Sequence, residues 1–140
     1  MKKYAELYDE MKALKAQYRA GEKTEVVEAL KAEYNELMAE VKTCPAGACK
    51  AWRFYEKARR NGNLRPDVDD ILWDEEVPAF VDALRAGGCE SFTFSSTWSG
   101  AVQTAYLLTQ LGCKLEGLIL INDDVVYGEP AKKPAYLFSL

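Results

Sequence analysis

Residues 95–100, Ser95-Ser96-Thr97-Trp98-Ser99-Gly100, gather four hydroxyls and an indole beside the expected start of a helix. Amides freed at a helix start, joined by Ser96, Thr97 and Ser99, would hold a phosphate, with Trp98 stacking on a base or sugar. Asn122, Asp123 and Asp124 would face that loop as further ligand-binding residues, Asp123 and Asp124 acting with a Mg²⁺ ion that brings such an anion in, as weak phosphoryl-transfer or hydrolytic chemistry would require. The loop nevertheless fits neither phosphate-binding fingerprint, because its one glycine stands at its end. Without a cation, Asp123 and Asp124 would repel an anion. Thr97-Trp98-Ser99-Gly100-Ala101 also lacks the leading glycine of a nucleophile elbow. The chain has no histidine, which removes Ser-His-Asp and Cys-His nucleophile systems and the usual general base near neutral pH. The structural alternative is that Ser96, Thr97 or Ser99 caps the helix and Trp98 packs on an N-terminal helical hairpin.

Two other groups of residues could do chemistry. Cys44, Cys49, Cys89 and Cys113 have no C-x-x-C spacing and no histidine to complete a zinc site, so they are expected to be reduced, mostly buried thiols. Asp67, Asp69, Asp70, Asp74 and Glu75 precede a helix whose N-terminal dipole favours negative charge, and their spacing is not that of a calcium loop. No cofactor, metal site or catalytic residue is therefore expected. Net charge is −4, but residues 44–66 carry six bases against one acid, and residues 67–90 carry eight acids against one base. Such adjacent blocks either pair with each other or present opposite faces to a partner. On the second reading the partner-binding residues are Lys50, Arg53, Lys57 and Arg60 on one side and Asp67, Asp69, Asp70, Asp74 and Glu75 on the other.

The elements that must position these groups follow from apolar spacing. Tyr4, Leu7, Met11, Leu14 and Tyr18 recur at threes and fours, and Val27, Leu30, Tyr34, Leu37 and Val41 do the same. They predict two helices of about 18 residues, turned at Gly21-Glu22-Lys23 and capped at Thr24. This hairpin, residues 1–43, is the first expected domain and a candidate arm for homodimerisation. Pro45 and Gly47 break the pattern. The second domain, residues 48–140, opens with a helix over 48–60, with Trp52, Tyr55, Ala51 and Ala58 inward and its cations, Lys50 included, outward. A further helix buries Val77, Phe80, Val81 and Leu84 and ends at Gly87-Gly88. A strand over 90–95, a helix over 98–111 and a strand over 115–121 read as one βαβ unit, with a final antiparallel strand over 135–140. The run Leu118-Ile119-Leu120-Ile121 predicts a strand covered on both faces. A right-handed crossover brings residues 95–100 and 122–124 to the same edge. The fold class is α+β, a small α/β sandwich in which helices pack on a small mixed sheet behind the helical hairpin.

Trp73-x-x-x-Val77-Pro78-Ala79, Phe92-Thr93-Phe94-Ser95-Ser96-Thr97-Trp98-Ser99 and Leu115-Glu116-Gly117-Leu118 resemble a family of short uncharacterised proteins, under a domain-of-unknown-function label, from phages and conjugative elements of gut bacteria. The resemblance covers residues 51–140 and transfers no catalytic residue. It implies an accessory protein that binds host protein or nucleoprotein machinery, as anti-CRISPR inhibitors of defence nucleases do. A non-enzymatic interaction protein is thus the leading expectation. The alternative is a nucleotide or small-molecule binder using residues 95–100 and 122–124. Direct nucleic-acid binding through the basic helix ranks last, because acids adjoin it. No apolar run reaches the length of a membrane span, so the cytoplasm is the expected compartment.

Overall fold

The structure, a computed structural model, describes residues 2–20, 24–124 and 131–140. The expected turn at residues 21–23, the Thr24 side-chain cap and the connection over 125–130 lie outside the described residues. Among the described residues, six α-helices and a four-stranded mixed sheet follow the order α1 (Tyr4–Ala20), α2 (Thr24–Leu37), α3 (Ala39–Lys42), α4 (Ala46–Arg60), β1 (Asp67–Val68), α5 (Val77–Ala86), β2 (Ser91–Phe94), α6 (Ala101–Gln110), β3 (Lys114–Asn122) and β4 (Lys132–Ser139). The fold is α+β, as the spacing predicts.

The N-terminal stripe forms as expected, but its first half is core. Tyr4, Leu7, Tyr8 and Met11 are buried in one cluster with Met38, Val41, Trp52 and Tyr55. The Tyr4 ring meets Trp52 edge-on at 5.3 Å, and its amide donates to Gly87 O at 2.8 Å. The second predicted helix is interrupted at Met38, which turns inward and leaves α3 as a separate turn of helix. Pro45, extended at ψ 154°, halts the chain before α4. Close approach then requires a glycine: a Cβ on Gly47 would lie 2.1 Å from Glu76 O. Ahead of α5, a 3₁₀ turn over Asp74–Glu76 carries the acids, and the Glu76 carboxylate accepts the Trp73 amide at 3.0 Å.

The sheet order is β1-β2-β4-β3. β1 and β2 are parallel neighbours joined through α5, so the contiguous βαβ unit is this one. The unit predicted over residues 90–121 is split: β2 and β3 both run antiparallel to β4, which lies between them. The final strand does pair antiparallel to β3 but starts at Lys132, and β1, two residues long, was not predicted from spacing. One sheet face carries Phe92, Phe94 and Phe138. Phe92 stacks on Phe138 at 5.3 Å and meets Phe80 of α5 edge-on at 5.6 Å, and Phe80 reaches Phe54 of α4 at 6.3 Å. The register between β3 and β4 shifts from Leu115 to Gly117, where one extra residue bulges and φ at Gly117 is 146°, open to glycine alone.

Cys89 lies on the tight turn from α5 into β2, and burial pushes its thiol from 9.0 up to about 11. The folded state therefore holds this proton more firmly than the unfolded chain does. That contribution is complete below pH 9 and is lost between pH 9 and 11. Urea midpoints should fall between pH 9 and 11, and Cys89→Ala should flatten the fall. An unchanged slope in the variant would show that Cys89 does not contribute.

Candidate functional site

Asp67, 7% exposed on β1, sits at the centre of a polar network on the sheet face opposite the phenylalanines. Strand pairing sets Asp67 beside Thr93, and with alternate residues sharing a face, Ser95 follows on the same side. Thr93 Oγ1 donates to Asp67 Oδ1 and Ser95 Oγ to Asp67 Oδ2, each at 2.7 Å. Lys133 of β4 lies 3.3 Å from Asp67 Oδ2 and 3.4 Å from Asp123 Oδ1. Burial lowers the Lys133 pKa, but Asp67 and Asp123 outweigh it and hold the ammonium above its ordinary value. Beside it, Lys57 of α4 binds Asp69 at 2.6 Å and Asp124 at 3.4 Å. Those bonds, Asp69 foremost, raise the Lys57 pKa. The Asn61 amide and then Lys57 hold Asp124 below the usual carboxylate range. Asn63 clamps the end of β3, donating to Asn122 O at 2.9 Å and accepting from Asn122 N at 3.1 Å. Lys132 donates to the Asn122 side chain.

The carboxylates thus converge on lysines and hydroxyls of the same chain. Among the described residues, no group of three or more carboxylates or thiols is placed to hold a metal ion. Ser95 joins Asp123 through Asp67 and Lys133, so part of the expected edge does assemble. Thr97 and Ser99 point to solvent and take no part. No side chain caps α6, whose N-cap is Gly100, so the expected serine or threonine cap is wrong. Trp98 does not reach the hairpin either. It packs edge-on against Trp73 at 5.5 Å and lies over Gly100, where a Cβ would sit 2.0 Å from the ring. Ser96 Oγ and Trp98 Nε1 are buried without a hydrogen-bond partner.

Among the described residues the charge blocks pair with each other at two points, Lys50 with Glu76 and Lys57 with Asp69. Lys50, expected outward, is half-buried, donating to Glu76 Oε2 at 2.6 Å and to Ile71 O at 3.0 Å. Gly47, with no side chain, leaves room for Glu76 to approach α4, where a Cβ would meet its carbonyl oxygen. Of the residues expected to bind a partner, Arg53, Arg60, Asp70, Asp74 and Glu75 are exposed, while Lys50, Lys57, Asp67 and Asp69 are engaged internally.

The prediction that β3 is covered on both faces also fails. Leu118 is 67% exposed, Leu120 70%, and Val102 of α6 83%. Leu115, Tyr136 and Tyr106 are exposed as well. Val102, Leu115, Tyr136, Phe94 and Phe138 line one apolar groove between α6 and the β3–β4 ribbon. Hydropathy carried this signal, since four successive apolar residues on a strand expose two of them wherever only one face is packed.

A small α+β protein with internally neutralised carboxylates and an open apolar face is the class that this fold and site define. The family model described as domain of unknown function DUF7698 matches residues 50–140, and the chain belongs to that family. No curated protein and no solved structure matches it. No described helix is long and apolar enough to cross a membrane.

Proposed function

We propose that the protein is a non-enzymatic interaction factor of the kind that phages and conjugative elements carry, working in the cytoplasm on host protein or nucleoprotein machinery, with anti-CRISPR-type inhibition as one form. The observation that carries this reading is the apolar strip of Val102, Leu118, Leu120 and Tyr136, exposed on α6 and the sheet. Contiguous exposed apolar surface of this kind marks interaction sites. β3 is also an edge strand, able to offer main-chain groups to an added strand. The occupant is a protein segment with an apolar ridge. The exposed Arg53, Arg60, Asp70, Asp74 and Glu75 surround the core with charge that would orient its approach.

The test is affinity capture from host lysate with purified wild-type protein and with Leu118→Glu/Leu120→Glu. A stoichiometric protein partner is expected with the wild type, with at least a tenfold loss on the variant and no change in thermal unfolding. Equal recovery by both forms, or none by either, sinks the reading.

A second reading rests on the two buried, partnerless groups in the 95–100 loop, Ser96 Oγ and Trp98 Nε1. Leaving such groups unsatisfied costs about 1–3 kcal/mol each, and a small molecule or nucleotide would relieve that. On this reading nucleotides, with or without Mg²⁺, raise the unfolding temperature of the wild type and do so less for Ser96→Ala. No shift in the wild type removes it.

A further inference from the structure

Two cysteines outside the surface discussed above meet at the joint between α3 and α4. Cys44 precedes Pro45, the N-cap of α4, and Cys49 lies in the first turns of that helix. Their Sγ atoms are 3.4 Å apart. Both face Val41 O, at 2.7 and 3.1 Å, and Cys49 Sγ also lies 3.1 Å from Cys44 O. Residues flanking an N-cap in these two positions pack on each other as a staple across the first helical turn. Helix geometry therefore sets the encounter, and no loop has to close to make it. Both cysteines are half-buried, whereas Cys113 is buried. A disulfide bond is about 2.05 Å long, so the sulfurs need to approach by roughly 1.3 Å, which side-chain rotation supplies.

We propose that Cys44 and Cys49 form a dithiol site that small-molecule disulfides oxidise to an intramolecular disulfide across the first turn of α4. One protein thiolate attacks a sulfur of the reagent; the reagent's S–S bond breaks and one reagent thiolate leaves. The second protein thiolate attacks the protein sulfur of the mixed disulfide and expels the other half of the reagent as thiolate. Two protein thiols lose two protons and two electrons, and the reagent disulfide is reduced to two thiols. Burial first, and then the Cys49 thiol, push Cys44 up to about 11, so Cys44 rests protonated near neutral pH. Gly47 lies inside the ring and against Glu76 O. Oxidation therefore fixes the turn where the N-terminal helices join the part of the chain that the family model covers.

Trypsin cuts after Lys42 and Lys50 and releases both cysteines in a single peptide, residues 43–50. Folded protein is incubated with oxidised glutathione, alkylated and digested without reduction. The expected product is this peptide two hydrogens lighter and closed to alkylation, with Cys44→Ser instead trapping glutathione on Cys49. A folded protein that keeps stable glutathione on either cysteine, or leaves both open to alkylation, overturns the proposal.

Discussion

Asp67→Ala is expected to lower the unfolding free energy by about 3 kcal/mol. The carboxylate is buried, accepts hydroxyl hydrogen bonds from Thr93 and Ser95 at 2.7 Å, and faces the Lys133 ammonium at 3.3 Å. Removing one member of a buried pair costs roughly 3–5 kcal/mol, because the remaining charge and donors lose their partner without regaining water. Lys133 keeps Asp123 at 3.4 Å, which places the expectation at the lower end. Asp67→Asn keeps an acceptor and a donor beside the two hydroxyls and gives up only the charge, so it should cost about half as much. Urea unfolding of the two variants measures both. A loss under about 1 kcal/mol for the alanine variant would mean that water enters the site and the network is ornamental to the fold.

Phe92→Ala carries the other large effect, about 4 kcal/mol, within the range of roughly 3–5 kcal/mol for emptying a phenylalanine site in a packed core. Phe92 is 0% exposed and is the point where β2, β4 and α5 meet, between Phe138 and Phe80. Neighbours fixed by strand pairing on one side and by a helix on the other cannot collapse into the space. Phe92→Leu should cost under about 1.5 kcal/mol, because most of the volume remains. Val102→Ala, on the exposed strip, should fall within about 0.5 kcal/mol of wild type. That contrast separates the apolar residues that hold the fold together from those left for a partner, and unfolding midpoints of the three variants read it out.

The helices were legible where a single face is buried. Tyr4, Leu7 and Met11 follow the three-four spacing into the core, and Ala51, Trp52, Tyr55 and Ala58 of α4 lie inward as that spacing requires. Of the acids ahead of α5, Asp74, Glu75 and Glu76 do stand in the 3₁₀ turn that enters it, whereas Asp67 and Asp69 are held by lysines elsewhere in the fold. The site was legible only in part. Ser95, Asp123 and Asp124 were marked by their residue types, but Asp67, which Ser95 meets, and Lys57, which meets Asp124, lie on other elements far along the chain, and no periodicity encodes such a pairing. Asp67 was read as part of a helix-start cluster because β1, at two residues, is too short to alternate.

The amino-acid order by itself determined the chemistry the protein lacks and the elements it builds: a chain without histidine, amphipathic helices, and strands flanked by Gly87-Gly88 and Gly112. Those features depend on residue identity and on neighbours within a few positions. Only the tertiary structure decided that β4 enters between β2 and β3, that Lys50 and Lys57 turn toward Glu76 and Asp69, and that Leu118 and Leu120 remain open. Strand order and ion pairing are settled by contacts between residues distant in the chain. An apolar side chain states what it would bury against, whereas the packed fold alone determines which surface is left to meet it.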